Sequence, residues 1–270
     1  MLRMLAILFL SMTVQLSRPQ VVHARQLDTT SLTPCGDTVA GEAIGGARFL
    51  SAQGQTVKLA LVKAPEIWAP GAAYNSWPHG PESRQALQRA VSGKTITLFC
   101  EGQRTNRLGE LVAHVVLPDG QWLAFDLVNA GDVFVFPGAT RRQGLELLYQ
   151  AEDAARAARK GVWNYNNLQP VEALGNSVKA GWFQIVRGDV REVALVRGTY
   201  YLNFGDDWRT DFTIEIPPIV ARQFAKWDID PMSLKGERVE GRGWVDFKSG
   251  PRLLVQGPGQ LRQLPARPFP

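Results

Sequence analysis

The sequence predicts an α+β, mostly β protein of two small domains behind a cleavable leader. Three observations predict it. Short alternating apolar segments dominate, at 43–51, 55–62, 95–100 and 111–117, with helical spacing confined to 82–91, 126–129 and 141–159. A stretch at 166–177 containing Pro170 and Gly175 has the composition of a linker. Beyond it, short strands at 181–186, 192–197, 200–203, 212–216, 239–247 and 252–255, with a helix at 219–226, suit a second small barrel.

The elements can be justified in order. Residues 1–24 read as a signal peptide: Arg3 gives a positive start, residues 5–12 an apolar core, and Val22-His23-Ala24 a small-residue cleavage site. That core is too short to span a bilayer, and no later segment is apolar for long enough. The mature chain is therefore expected in the periplasm or secreted. The strands 43–51 and 55–62 flank a turn at Gly54. In the helix 82–91, Pro81 suits the start, Leu87 and Val91 share a face, and Ser92-Gly93 ends it. Strand 111–117 turns at Pro118-Asp119-Gly120, and Gly161 ends the Ala-, Leu- and Glu-rich helix 141–159. The domains are thus expected at 40–165 and 178–264, with a proline-rich, disordered tail at 265–270.

Removing the leader's Arg3 and Arg18 leaves 28 basic against 25 acidic residues, a formal +3. That permits an anionic partner without demanding one. His79 and His114 are the mature histidines, too few for a histidine-rich metal site. Cys35 and Cys100 are the only cysteines, which excludes a CxxC redox pair and a zinc cluster; export permits a disulfide between them.

Four stretches carry a family resemblance. They are the run Val57-Lys58-Leu59-Ala60-Leu61-Val62-Lys63-Ala64-Pro65-Glu66, the turn 101–110 with Gly102, Arg107, Gly109 and Glu110, the segment Leu127-Val128-Asn129-Ala130-Gly131, and Ala151-Glu152 leading to Lys160-Gly161-Val162-Trp163. Taken in order over roughly residues 40–165, they resemble the staphylococcal-nuclease-like (thermonuclease) family. The resemblance implies a five-stranded barrel of the oligonucleotide-binding type with helices. It also implies calcium-dependent phosphodiester hydrolysis: carboxylates hold the ion, the ion activates water, and guanidiniums grip the phosphate two oxygens at a time.

The positions that carry this chemistry depart from the family. Ala47 stands at the first metal aspartate, Lys63 at the second, and Ala64 at the neighbouring threonine. Lys58 and Glu110 stand at the two arginines, and only Glu66 is kept in kind. A lysine repels calcium and a glutamate repels phosphate, so the expectation is a salt-bridged remnant in which Lys58 and Lys63 pair with Glu66 or Glu110. Gly36-Asp37-Thr38 reproduces part of the missing metal turn but lies 21 residues before Lys58, too far upstream for a simple hairpin.

In the second domain, residues 198–213 and Gly241-Arg242-Gly243-Trp244-Val245 resemble parts of an oligonucleotide-binding barrel. Tyr200, Phe204, Trp208 and Trp244 are candidates to stack on bases, and Arg107, Arg209 and Arg242, with Arg197 and Arg252, to meet phosphates. The competing reading makes the aromatics core and the arginines solvated. The expected function is an exported, non-catalytic module that binds nucleic acid or a protein, with no cofactor. The alternatives are a calcium-dependent nuclease with atypical site residues and a periplasmic structural or assembly factor. Oligomeric state has no sequence signal.

Overall fold

A computed structural model describes residues 26–68, 75–138 and 141–265. The leader at 1–24 and the tail beyond Pro265 lie outside the described residues.

The first domain is a closed barrel of β1 (Thr33–Gly45), β2 (Arg48–Ser51), β3 (Thr56–Leu59), β5 (Thr95–Cys100) and β6 (Leu111–Val116), hydrogen-bonded in the order β1-β2-β3-β6-β5. The short β4 (Val62–Lys63) leaves this barrel to pair with β7 (Phe134–Val135). The stretch 43–51, expected as one strand, is divided: β1 ends at Gly45 and the chain turns through Gly46-Ala47 into β2. β1 is long enough to serve two neighbours, β5 through its first half and β2 through its second. Gly36-Asp37-Thr38 therefore lies in the β5-paired half, with Asp37 opposite Thr97.

Three helices, α1 (Gly80–Val91), α2 (Leu123–Ala130) and α3 (Leu145–Ala157), attach to the barrel. α1 buries Ser83, Leu87 and Val91 at four-residue spacing, with Pro81 and Glu82 in its first turn. Two of the motifs meet where α2 and α3 end. Gly131 caps α2 at φ 76°, and its carbonyl accepts the Val162 N–H at 2.8 Å. A Cβ on Gly131 would lie 2.4 Å from the Lys160 oxygen, and one on Gly161 2.2 Å from the Gly131 oxygen. That close crossing seats Trp163, which is fully buried.

Cys35 and Cys100 are joined in a disulfide with Cα atoms 5.9 Å apart, tying β1 to β5. Closing a 65-residue separation contributes about 4 kcal/mol on a loop-entropy estimate.

The second sheet-rich region shares no strand with the barrel. Its strands are β8 (Val171–Glu172), β9 (Phe183–Asp189), β10 (Glu192–Val196), β11 (Thr199–Asn203), β12 (Thr213–Ile216), β13 (Arg238–Phe247), β14 (Pro251–Leu254) and β15 (Leu261–Gln263). They run in the order β10-β11-β12-β14-β13-β9-β8, with β15 on β13. β8 falls inside the stretch expected as a linker, where it pairs in parallel with β9. The helix α4 (Pro218–Lys226) buries Val220 and Phe224 in this region's core beside Leu202, Ile214 and Leu253. Among the described residues, no helix is long and apolar enough to cross a membrane.

The two regions share an interface. Phe134, Ala155, Val162 and Trp163 of the first pack with Phe183 and Ile185 of the second in one buried cluster. Beside it, Arg242 is fully buried, donating to the Val135 carbonyl at 2.6 Å and lying 2.8 Å from Glu152. Arg156 and Arg187 reach Glu240 at 2.8 and 2.7 Å, and Arg262 reaches it at 3.0 Å.

Candidate functional site

The family-motif residues converge where β2, β3 and β4 meet the loop before β6. β3 alternates, so Val57 and Leu59 enter the core while Lys58 stands on the outer face. Register places Arg48 of β2 directly opposite Lys58. The loop 102–110 is held by Asn106, which donates to Glu110 at 2.6 Å and accepts from the Leu108 and Glu110 N–H groups at 2.9 and 3.1 Å.

Two ion pairs organise the site. Glu110 pairs with Arg48 at 2.8 Å, and Lys63 pairs with Glu66. Lys58 is in neither: burial pushes its ammonium pKa down, Arg48, Lys63 and Arg141 add to the effect, and Glu110 opposes it. Of the expected pairings, Lys63 with Glu66 is present and Lys58 with Glu110 is not. Arg48, not a lysine, takes Glu110; the signal was the hairpin register about Gly54, which sets Arg48 across from Lys58.

Lys63 has a second set of neighbours. Its ammonium lies 5.1 Å from the Trp77 ring centroid, 5.3 Å from Trp244 and 5.4 Å from Phe183. These rings also meet one another, Trp77 and Trp244 at 5.9 Å and Phe183 and Trp244 at 6.1 Å. Phe183 and Trp244 belong to the second region and Trp77 to the first, so an aromatic cage built from both closes over this corner. Burial pushes the Lys63 pKa down while Glu66 pulls it back up. Trp77 and Phe183 were missed in the sequence because the cage assembles only across the domain interface.

The turn that the resemblance gives to the first metal carboxylate is tightly packed and carries no carboxylate. Ala47 is buried, its carbonyl accepting the Leu59 N–H at 2.9 Å. A Cβ on Gly46 would sit 1.9 Å from the Ser83 hydroxyl and 2.8 Å from the Ala64 methyl. Calcium needs six or more oxygen ligands. Here Ala47, Ala64 and an ammonium face the position, and the nearby carboxylates Glu66 and Glu110 are committed to cations. The donor set does not fit calcium. Among the described residues, no group of three or more His, Cys, Asp or Glu is placed to hold a metal. His79 bonds Asp132 at 2.9 Å, and His114 is buried against Trp122 with Glu101 3.5 Å away.

The residues considered for nucleic-acid contact are dispersed. Arg107 is exposed on its loop. Trp208 and Arg209 are exposed and stack on each other at 4.7 Å. Four of these candidates are corrected. Arg242 is fully buried in the interface network, so no phosphate can reach it. Phe204 is core, packed on Phe212 at 5.3 Å, and Tyr200 packs on the same core. Arg252 is tied to Glu215 and Asp246. Trp244 is half exposed but committed to the cage.

Residues 56–165 match the model of the family described as Staphylococcal nuclease homologue. No match to a curated protein was found. The match begins at β3 and ends just past Trp163, so it spans β3, β6, all three helices and the Gly131–Gly161 crossing. With the closed five-stranded barrel, this makes the first domain a staphylococcal-nuclease-like domain of the oligonucleotide-binding type.

Proposed function

We propose that the protein is an exported, non-catalytic member of this family, working as a nuclease-related binding module that needs no metal. The observation that carries the proposal is Lys63. At the position of a metal carboxylate it places an ammonium, pairs it with Glu66 and encloses it in Trp77, Phe183 and Trp244. A cation there repels calcium and occupies the carboxylate nearest the attacking water. The Cys35–Cys100 disulfide supports residence in an oxidising compartment.

The ligand favoured for the barrel is nucleic acid, bound by its phosphates. Arg104 and Arg107 are exposed on the loop before β6, and Arg141, which donates to the Gln103 carbonyl at 2.6 Å, stands beside them. Lys58 adds a cation outside the ion pairs. Such a rim supplies sequence-independent, salt-sensitive affinity. A protein partner is the second reading, favoured by the exposed Trp182, Phe247 and Leu254 on the second domain.

The test is a calcium titration beside a nuclease assay on DNA and RNA, with binding of a fluorescent oligonucleotide followed against salt. The expected outcome is no cleavage, no calcium binding, and oligonucleotide affinity that falls with salt and is weakened by Arg107→Ala. Calcium-dependent cleavage abolished by Glu66→Gln would restore the enzyme. Absence of both cleavage and oligonucleotide binding would move the reading to a protein partner, sought by pull-down from periplasmic extract.

A further inference from the structure

The second sheet carries a cavity of about 410 Å³, within the range of small-molecule sites. Strand parity builds it. Leu202, Ile214 and Leu253 are fully buried on the core side. Their neighbours Tyr201, Asn203, Thr213, Glu215 and Arg252 therefore face the other way and line the cavity. Trp208 forms part of its wall.

The charges in this cavity cancel locally. Arg252 donates to Glu215 at 2.7 Å and to Asp246 at 2.8 Å. Lys248 also lines the cavity and acts on Asp246, so two cations balance two carboxylates and an entering phosphate finds no net attraction; the cavity disfavours an oligonucleotide. Apart from these balanced charges, the lining is aromatic and aliphatic surface with neutral hydrogen-bonding groups. Trp208 is 55% exposed. Its loop is fixed by the Asp207 carboxylate, which accepts the Arg209 N–H at 3.0 Å, and by Asp211, which accepts the Asp207 N–H at 2.9 Å. Thr213 donates to the Asn203 carbonyl oxygen at 3.1 Å. That bond orients the Asn203 amide and leaves its N–H groups for a ligand, with the Tyr201 hydroxyl able to donate or accept beside it.

A ligand that complements this lining has an apolar face for the rings, hydroxyls that both donate and accept, and no net charge. We propose that the cavity is a binding site for a neutral saccharide, with Trp208 and Tyr201 as platforms and Asn203 and Glu215 as hydroxyl partners. The pre-set Trp208 loop limits the ordering cost of binding. This site is separate from the barrel rim, and its test does not depend on the rim.

The experiment is isothermal titration of the mature full-length chain with chitotetraose, cellotetraose, maltotetraose and a ten-nucleotide oligothymidylate. At least one saccharide should bind. Trp208→Ala should weaken that binding by at least about tenfold, and Asn203→Ala should weaken it too. Arg107→Ala should leave it unchanged. Trp208 and Asn203 lie on the surface side of the sheet, and an unchanged unfolding midpoint would verify that each variant is folded. Binding of none of the saccharides would overturn the proposal. So would saccharide binding indifferent to Trp208→Ala, or oligothymidylate binding that depends on Trp208.

Discussion

Two charged clusters in this molecule use the same residue types at different depths. In the barrel, Lys63 with Glu66 and Arg48 with Glu110 sit near the rim, where each carboxylate keeps some contact with water. At the domain interface, Arg242, Glu152 and Glu240 have fully buried side chains. The rim cluster can lose a member without stranding a charge. The interface cluster cannot, because its members are out of water and depend on a few fixed partners: Arg242 on Glu152, Glu240 and the Val135 carbonyl, and Glu240 also on Arg156, Arg187 and Arg262. Depth, not charge count, decides which of the two is structural.

The sharpest way to break the comparison is at Arg242. Arg242→Met removes the guanidinium that bridges Glu152, Glu240 and the Val135 carbonyl. Two buried carboxylates are left with fewer partners, and a loss of about 3–5 kcal/mol is expected. Urea unfolding measures it. Adding Glu152→Gln should recover part of the loss, since it removes one stranded charge. A loss below about 1 kcal/mol would mean the network behaves like a surface one.

Acid should act on the interface next. Burial alone would push the Glu240 carboxyl up, but Arg242, Arg262 and Arg187 outweigh it and hold it at about 2, below the usual 4.5. A depressed carboxylate contributes stability in full above its unfolded value. That contribution is lost as the pH falls from 4.5 toward 2. Glu152 runs the other way, its carboxyl raised by burial against the pull of Arg242, so its protonation favours the folded state as the pH falls toward 4.5, before the Glu240 loss sets in. The expected result is a stability that falls over this acid window by no more than about 3 kcal/mol. Unfolding midpoints measured across that range check it, and Glu240→Gln should flatten the dependence.

How far the sequence showed this contrast follows from the same distinction. The barrel was legible because its signals are local: the alternation through Val57 and Leu59, the glycines that cross at Gly131 and Gly161, and the buried Trp163. The rim charges were legible as a departure from a motif, but Arg48 was missed, although the hairpin register sets it opposite Lys58. Arg242 was read as a candidate phosphate contact, not as a buried partner of Glu240. β13 alternates little, with Val239 and Gly241 as buried as the charges between them, and the partner Glu152 lies in a helix of the other domain. The aromatic cage was hidden likewise: Trp77 is drawn from the first domain and Trp244 from the second, and only docking brings them to Lys63. β8 escaped because a two-residue strand has no period.

The smallest expected effect sharpens the comparison most directly. Lys63→Met is the rim counterpart of Arg242→Met: both replace a cation by an unbranched apolar chain of similar length. At Lys63 the substitution removes an ammonium whose pKa burial already pushes down, so some desolvation cost is relieved. Met is flexible, and its thioether packs favourably against the rings of Trp77, Phe183 and Trp244. Glu66 loses its partner, but its side chain is 26% exposed and can turn to water. The gains and losses nearly cancel, and the expected change in unfolding free energy is within about 1 kcal/mol. Lys63→Asp differs in kind, because it puts a second carboxylate beside Glu66 and faces three rings with an anion. It should destabilise more than Lys63→Met. If Lys63→Met cost as much as Arg242→Met, the Lys63 cage would be an anchor of the domain interface equal to the buried network, and the distinction by depth would fail.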